Sequence, residues 1–252
     1  MKKLLILVLL APLFIGAAPP GPGQNTIEFW GGTGRYRRQA GCNPAQRVEY
    51  YDVAVSFKHR VTEEQITVAD SGYFSIKTIR KVATPFSFLI DASMTRGTAT
   101  DIIYYYDDYH STPAEDTVED IQAGAKLQGD WKNFGFGLGG VTAGDEGGFG
   151  MVPAGYLRIG PRDKIYLTGE LLYANPIISG HGILAAGLGH QSKNLDLWAG
   201  AGVWVNEQHL RPCLTIKYHF RDMMLGLDAS YGTSTQDGIK PYSISLGVGY
   251  EF

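Results

Sequence analysis

Beyond residue 18 the sequence holds no apolar run approaching the roughly 20 residues that a membrane-spanning helix requires. A protein that crosses a bilayer with helices is thereby excluded. Charge is sparse: 22 Lys and Arg against 25 Asp and Glu make up 19% of the chain, with a formal net charge of −3. No basic cluster interleaved with aromatics occurs, which sets a nucleic-acid partner aside. Cysteine is confined to Cys42 and Cys213, and no linker, charge block or repeat marks a second domain.

Glycine and tyrosine, in contrast, are plentiful at 33 and 15 residues. Together with the low charge they point to many short strands rather than helices. The first 18 residues have the composition of a secretory signal peptide. Lys2 and Lys3 precede an apolar run from Leu4 to Ile15, broken only by Pro12, and Gly16, Ala17 and Ala18 supply small residues near a cleavage site. Pro19 disfavours a cut directly after Ala18, so cleavage is placed only between Ala17 and Gly23. No Cys follows the run, as a lipid-anchored protein would need. Residues 19–25 then form a flexible leader, and 26–252 a single β domain.

The last eleven residues carry the clearest pattern. Tyr242, Ile244, Leu246, Val248, Tyr250 and Phe252 alternate with Ser243, Ser245, Gly247, Gly249 and Glu251, which places the two sets on opposite faces of a strand. The apolar face has rings at both ends and aliphatic residues between them, as a strand lying against lipid does. This ending resembles the assembly signal of bacterial outer-membrane β-barrel proteins, the porin-like class whose last strand ends in Phe. The resemblance implies an antiparallel up-and-down transmembrane barrel in a bacterial outer membrane, reached through the periplasm. It also implies recognition by the barrel-assembly machinery, and a setting of outer-membrane lipids and lipopolysaccharide.

The same alternation recurs upstream, for example in Leu214, Ile216, Tyr218 and Phe220 against Thr215, Lys217, His219 and Arg221. A soluble barrel would turn the apolar set inward, a membrane barrel outward, and periodicity alone does not distinguish them. Turn lengths favour the membrane reading. Tight polar turns are expected at Thr62–Gln65, Arg96–Ala99, Asp130–Asn133, Pro161–Lys164, Ser192–Asn194 and Arg221–Asp222. Longer connections fall between them, at Arg37–Arg47, Asp107–Asp116, Asn175–Ser179, Asn206–Arg211 and Thr233–Pro241, which matches short periplasmic turns and long outer loops. The spacing predicts fourteen strands, with twelve as the alternative because Asp70-Ser-Gly72 and Arg80–Ala83 interrupt the pattern.

Three constellations are candidates for function. The polar faces assign Asp52, Asp91, Asp120, Glu170, Asp196 and Asp228, with Glu28 and Glu251, to the lumen. Lys58, Lys126, Arg158, Lys217 and Arg221 stand against them. Such a lining serves either a narrow pore for ions or small solutes or a plugged structural, surface-binding barrel. Cys42 and Cys213 fall at the same outer rim and form a candidate disulfide in an oxidising compartment. Gly189-His190-Gln191-Ser192 resembles the active-site segment of outer-membrane lipid A deacylases, which implies Ser192 as nucleophile and His190 as its base. Lys193 replaces that family's Asn, however, and no Glu follows at the matching place. His181 with His209, and Asp107-Asp108 with His110, match no metal-ligand spacing. Residues 107–116 read instead as an acidic outer loop, and Gly31–Gly34 lacks the Lys of a phosphate loop. No cofactor or metal is expected.

Overall fold

In a computed structural model of the protein, the described residues are 25–38, 45–70, 75–101, 115–145, 148–173, 182–204, 210–233 and 238–252. They form twelve strands: β1 Asn25–Arg38, β2 Gln46–Asp70, β3 Ser75–Asp101, β4 Glu115–Asp130, β5 Phe134–Asp145 and β6 Gly148–Ile159. β7 Tyr166–Tyr173, β8 Gly182–Gln191, β9 Leu195–Trp204, β10 Leu210–Phe220, β11 Met223–Tyr231 and β12 Tyr242–Glu251 complete the series. Each strand pairs antiparallel with the next, and β1 pairs with β12 from Thr26↔Glu251 to Arg35↔Tyr242, which closes the sheet into a barrel. Asn25 and Phe252 exchange both backbone hydrogen bonds at 2.9 Å and secure the seam at its end.

Exposure decides which face looks outward. Along β12, Ile244, Leu246 and Val248 are 47%, 67% and 47% exposed, while Ser243 and Ser245 are 3% and 2%. The inverted exposure continues around the barrel: Ile90, Ile121, Leu138, Leu167, Leu188 and Leu225 are all exposed, whereas Asp52, Asp91, Gln122, Arg158 and Asp228 are buried. Such a surface is unfavourable in water and natural against hydrocarbon. Rings gather where the band would meet the interfaces. Trp131 at the terminal end contacts Phe86 edge-on at 5.6 Å and stacks on Phe136 at 5.7 Å. At the opposite end Arg35 lies over the Tyr242 ring at 5.6 Å, beside Tyr231.

The strand count corrects the first expectation of fourteen and agrees with the alternative. Thr62–Gln65 is not a turn but part of β2, paired with Arg80–Ala83 of β3. Arg96–Ala99 likewise continues β3, paired with Val48–Tyr51 and with Asp116–Glu119. Four expected strands between residues 48 and 106 are therefore two long ones. Their lengths have separate causes at the two ends. Near the loops the outward positions carry ion pairs, Arg96–Glu119 at 3.0 Å and Arg35–Glu49 at 2.7 Å, instead of the aliphatic residues found lower on the wall. Near the termini, β2 and β3 run on together past the last rung of either neighbour.

The remaining terminal-side turns are short as expected, at Trp131–Asn133, Gly160–Ile165, Ser192–Asn194 and Arg221–Asp222. Gly160 and Arg221 take the left-handed conformation there, at φ 109° and 54°. Residues 1–24, 39–44, 71–74, 102–114, 146–147, 174–181, 205–209 and 234–237 lie outside the described residues.

Glycine on the inner wall makes room for one large ring. Trp30 projects from β1 across β12 and β11, over Gly247 and Gly226. A β-carbon at Gly247 would lie 2.5 Å from the indole, and one at Gly226 would collide with it too. Gly247→Leu is expected to lower barrel stability by about 1–3 kcal/mol, read as the denaturant midpoint of the heat-modifiable band in detergent. Adding Trp30→Ala to that variant should recover part of the loss.

Candidate functional site: the barrel interior

Alternation along the strands brings the polar residues of many sequence-distant segments into one enclosed space. Lumen positions Asp52, Asp91, Arg158 and Asp228 are buried, and Lys58, Asp120, Lys126, Glu170, Asp196 and Lys217 are half-buried on the same inward face. Glu28 joins them. Arg221 instead occupies the β10–β11 turn with its guanidinium over the Phe220 ring, and Glu251 is exposed at the terminal rim.

Three groups of contacts organise this interior. Around the seam, Lys217 Nζ donates to both Glu28 oxygens at 2.9 and 2.8 Å, while Trp30 Nε1 donates to Glu28 Oε2 at 3.0 Å. The ammonium also lies 5.4 Å from the Trp30 ring centre. β1 and β10 are thus joined through the lumen, across β11 and β12.

At the terminal end a chain of polar contacts follows the rim. Arg158, fully buried, donates to Asp130 Oδ1 at 2.7 Å, to the Phe134 carbonyl at 3.0 Å, and to the carbonyls of Trp131 and Gly160. One guanidinium thereby supplies donors to two adjacent turns whose carbonyls point inward. Asp130 also pairs with Arg162, which donates to Gln191 Oε1 at 3.2 Å. Gln191 Nε2 donates to Asp196 Oδ2 at 3.2 Å, and His219 Nε2 meets the same oxygen at 3.1 Å. Burial disfavours the charged Arg162, but Asp130, Tyr156 and Tyr166 together outweigh it and raise the guanidinium above its ordinary pKa. The network runs from β4 to β10.

The third group is an acidic row around the seam. Register places Asp52 on β2 beside Gly32 on β1, then Ser245 on β12, then Asp228 on β11. Gly32 has no side chain to fill the space: a β-carbon there would lie 2.7 Å from Asp52 Oδ1 and would collide with Ser245 Oγ. Asp228 accepts from Thr215 Oγ1 at 2.6 Å, whereas Asp52 meets no side-chain donor. Farther along the wall, Asp91 on β3 and Glu170 on β7 both feel the charge of Lys126 on β4.

At the loop end of the same wall, Tyr36, Val48, Tyr50 and Ala99 form a buried inward cluster, with Tyr36 and Tyr50 edge-to-face at 5.7 Å. Sequence patterning assigned the acids and bases to the lumen but did not show this apolar group. Nor did it show that Trp30 lies flat inside. Ring residues at inward positions opposite glycines were the available signal.

The other candidates lie apart. Ser192 Oγ is engaged in its own hairpin turn, donating to the Leu195 carbonyl and accepting from Leu195 N–H at 3.1 Å. His190 contacts the Lys164 carbonyl at 3.3 Å, and no hydrogen bond joins it to Ser192 among the described residues. Cys213 faces the lumen with its thiol 3.3 Å from the Arg211 carbonyl. Cys42 lies outside the described residues, as do Asp107, Asp108, His110, His181 and His209. Among the described residues no group of three acids, histidines or cysteines could hold a metal ion.

No protein-family model matches the chain, and no curated protein matches its sequence. Solved structures give distant likenesses. The translocator domain of autotransporter NalP from Neisseria meningitidis is 16% identical with a TM-score of 0.49, over 100% of this chain and 96% of that one. The transport unit of the autotransporter AIDA-I from Escherichia coli is 9% identical with a TM-score of 0.45, over 99% and 97%. A TodX monoaromatic hydrocarbon channel mutant is 10% identical with a TM-score of 0.41, over 92% and 91%. The closed sheet itself stands on the chain's own pairing register.

Arg158→Gln is expected to destabilise the folded barrel by about 2–3 kcal/mol, because inward carbonyls and Asp130 lose charged donors in a buried place. Denaturant titration of the detergent-solubilised protein, followed by tryptophan fluorescence, measures the shift.

Proposed function

We propose that the chain is an integral protein of a bacterial outer membrane, with its terminal end in the periplasm, and that its interior is a narrow passage favouring small cations. The exposed apolar band supports the membrane setting, and the short terminal-side turns support the sidedness. Outer-membrane lipids would cover the band, with lipopolysaccharide beside the loop end. On this reading residues 1–18 serve export, and the strand ending at Phe252 serves recognition by the assembly machinery.

One observation carries the passage. Asp52 and Asp228, 2% and 3% exposed, flank Gly32 and Ser245 on the inner wall and place two acids beside the seam. Carboxylates on a lumen wall draw cations once water fills the lumen beside them. A lumen lined this way attracts cations and repels anions at close range. The filled apolar cluster and the Arg158 network narrow the path, so the conductance is small beside that of a wide porin.

A second reading is a plugged structural barrel, and the polar chain from Arg158 to His219 around the terminal rim, together with the inward Trp30 and Tyr36–Tyr50 rings, is what favours it. Planar-bilayer recording separates the two. The passage predicts small, cation-preferring current steps, with the preference reduced about two- to tenfold in Asp52→Asn with Asp228→Asn. Folded protein that inserts and gives no steps would establish the plugged barrel instead.

A further inference from the structure

Beyond Arg60, β2 and β3 leave the barrel as a two-stranded ribbon. Nine rungs, from Thr62↔Ala83 to Asp70↔Ser75, extend past the wall on the side of the termini. At about 3.3 Å per residue the ribbon reaches roughly 30 Å from the rim. On one side, β1 stops pairing with β2 at Asn25↔His59. On the other, β4 stops pairing with β3 at Gly129↔Phe86. Both outer edges of the ribbon therefore lack a neighbouring strand among the described residues.

The exit is built. Val61 stands opposite Thr84, Pro85 and Phe86 in a bulge between the rungs Arg60↔Ser87 and Thr62↔Ala83. Pro85 has no N–H for a ladder and is tolerated at such an irregularity. Thr84 Oγ1 donates to the Val61 carbonyl at 2.8 Å and accepts from Phe86 N–H at 3.2 Å, which pins the bulge. The ribbon is thus a designed departure from the barrel wall.

A lone two-stranded ribbon is marginal in water, and a third strand is the ordinary remedy. The sequence of this chain's own leader is ill suited to supply one along β2. Asn25 directs its N–H and carbonyl at Phe252, so even-numbered positions before it would turn theirs toward β2. Pro20 and Pro22 fall on those positions and have no N–H.

Charge separates the two edges. Thr62–Asp70 contains Glu63, Glu64 and Asp70 and no base, while Ser75–Ala83 contains Lys77, Arg80 and Lys81 and no acid. A second copy related by a two-fold axis is a poor occupant. Two barrels standing the same way up about a two-fold axis would bring like strand to like strand, base against base or acid against acid. Ile66 and Ile79, paired across the ribbon and 53% and 54% exposed, offer apolar contact to an added strand's side chains.

We propose that the free β3 edge, Ser75–Ala83, docks an acidic extended segment of another periplasmic polypeptide as a third strand. Backbone hydrogen bonds would give affinity, and the basic residues would choose the partner. The periplasmic placement rests on the sidedness proposed above.

The test uses the mature protein in detergent micelles and a fluorescent nine-residue peptide of alternating Glu and Val, matching the nine rungs, with anisotropy as readout. Saturable binding is expected. It should weaken at least about tenfold when Lys replaces Glu, when alternate backbone nitrogens of the peptide are methylated, or in Lys77→Glu with Lys81→Glu. It should vanish in a chain whose residues 63–82 are replaced by Asn-Gly, with heat-modifiable gel mobility showing that the barrel still folds. Undiminished binding of the methylated peptide, binding by the shortened chain, a preference for the Lys peptide, or no binding to the intact chain would overturn the proposal. Sidedness is tested separately by labelling Ile66→Cys with an impermeant maleimide. Labelling only after the outer membrane is permeabilised supports a periplasmic ribbon. Labelling of intact cells, or none in either state, removes the periplasmic partner and leaves the micelle result to be judged alone.

Discussion

The architecture depends on the absence of water beside the strands. In hydrocarbon an unpaired backbone N–H or carbonyl costs several kcal/mol, so a sheet that crosses a membrane has to leave no edge. Pairing of β1 with β12 meets that demand, and Asn25 with Phe252 completes it at one end. Once the edges are gone, the period-two alternation of each strand settles everything else about polarity. The aliphatic set faces lipid, and the acids, bases and hydroxyls are driven together inside.

Enclosure then sets its own requirements. A ring of twelve strands holds more space than side chains of ordinary size fill, yet not enough for a broad channel. The chain answers with contrast: Trp30 laid over two glycines, Arg158 fanned over the carbonyls of two turns, and a glycine beside Asp52 where the acids need space. Among the described residues, Glu28 with Lys217 and Asp130 with Arg158 pair acid with base in this interior.

The reading from sequence succeeded where one chemical contrast ran the full length of a strand. From Tyr242 to Phe252 the apolar and small polar sets never exchange faces, and the structure keeps that division. It failed between residues 46 and 101, because alternation marks a strand but not the point where the strand leaves the bilayer. Thr62-Glu-Glu-Gln65 and Arg96-Gly-Thr-Ala99 have the polarity of turns, and both are ladder segments that stand in water. A span limited to membrane thickness cut two long strands into four. The inward residues were legible from the same parity, while the contacts among them were not, since partners such as Glu28 and Lys217 are brought together only by closure.

That last pair has a bearing on how the molecule comes into being. Glu28 belongs to the first strand and Lys217 to the tenth, and they meet only after the two final strands have been laid between them and joined to the beginning. Until that moment Glu28 lacks the Lys217 ammonium and keeps only its local contacts on β1 and β2. A chain interrupted before its last strands would not form this ion pair. Electrostatics at the seam thus acts as a check that the ring is whole.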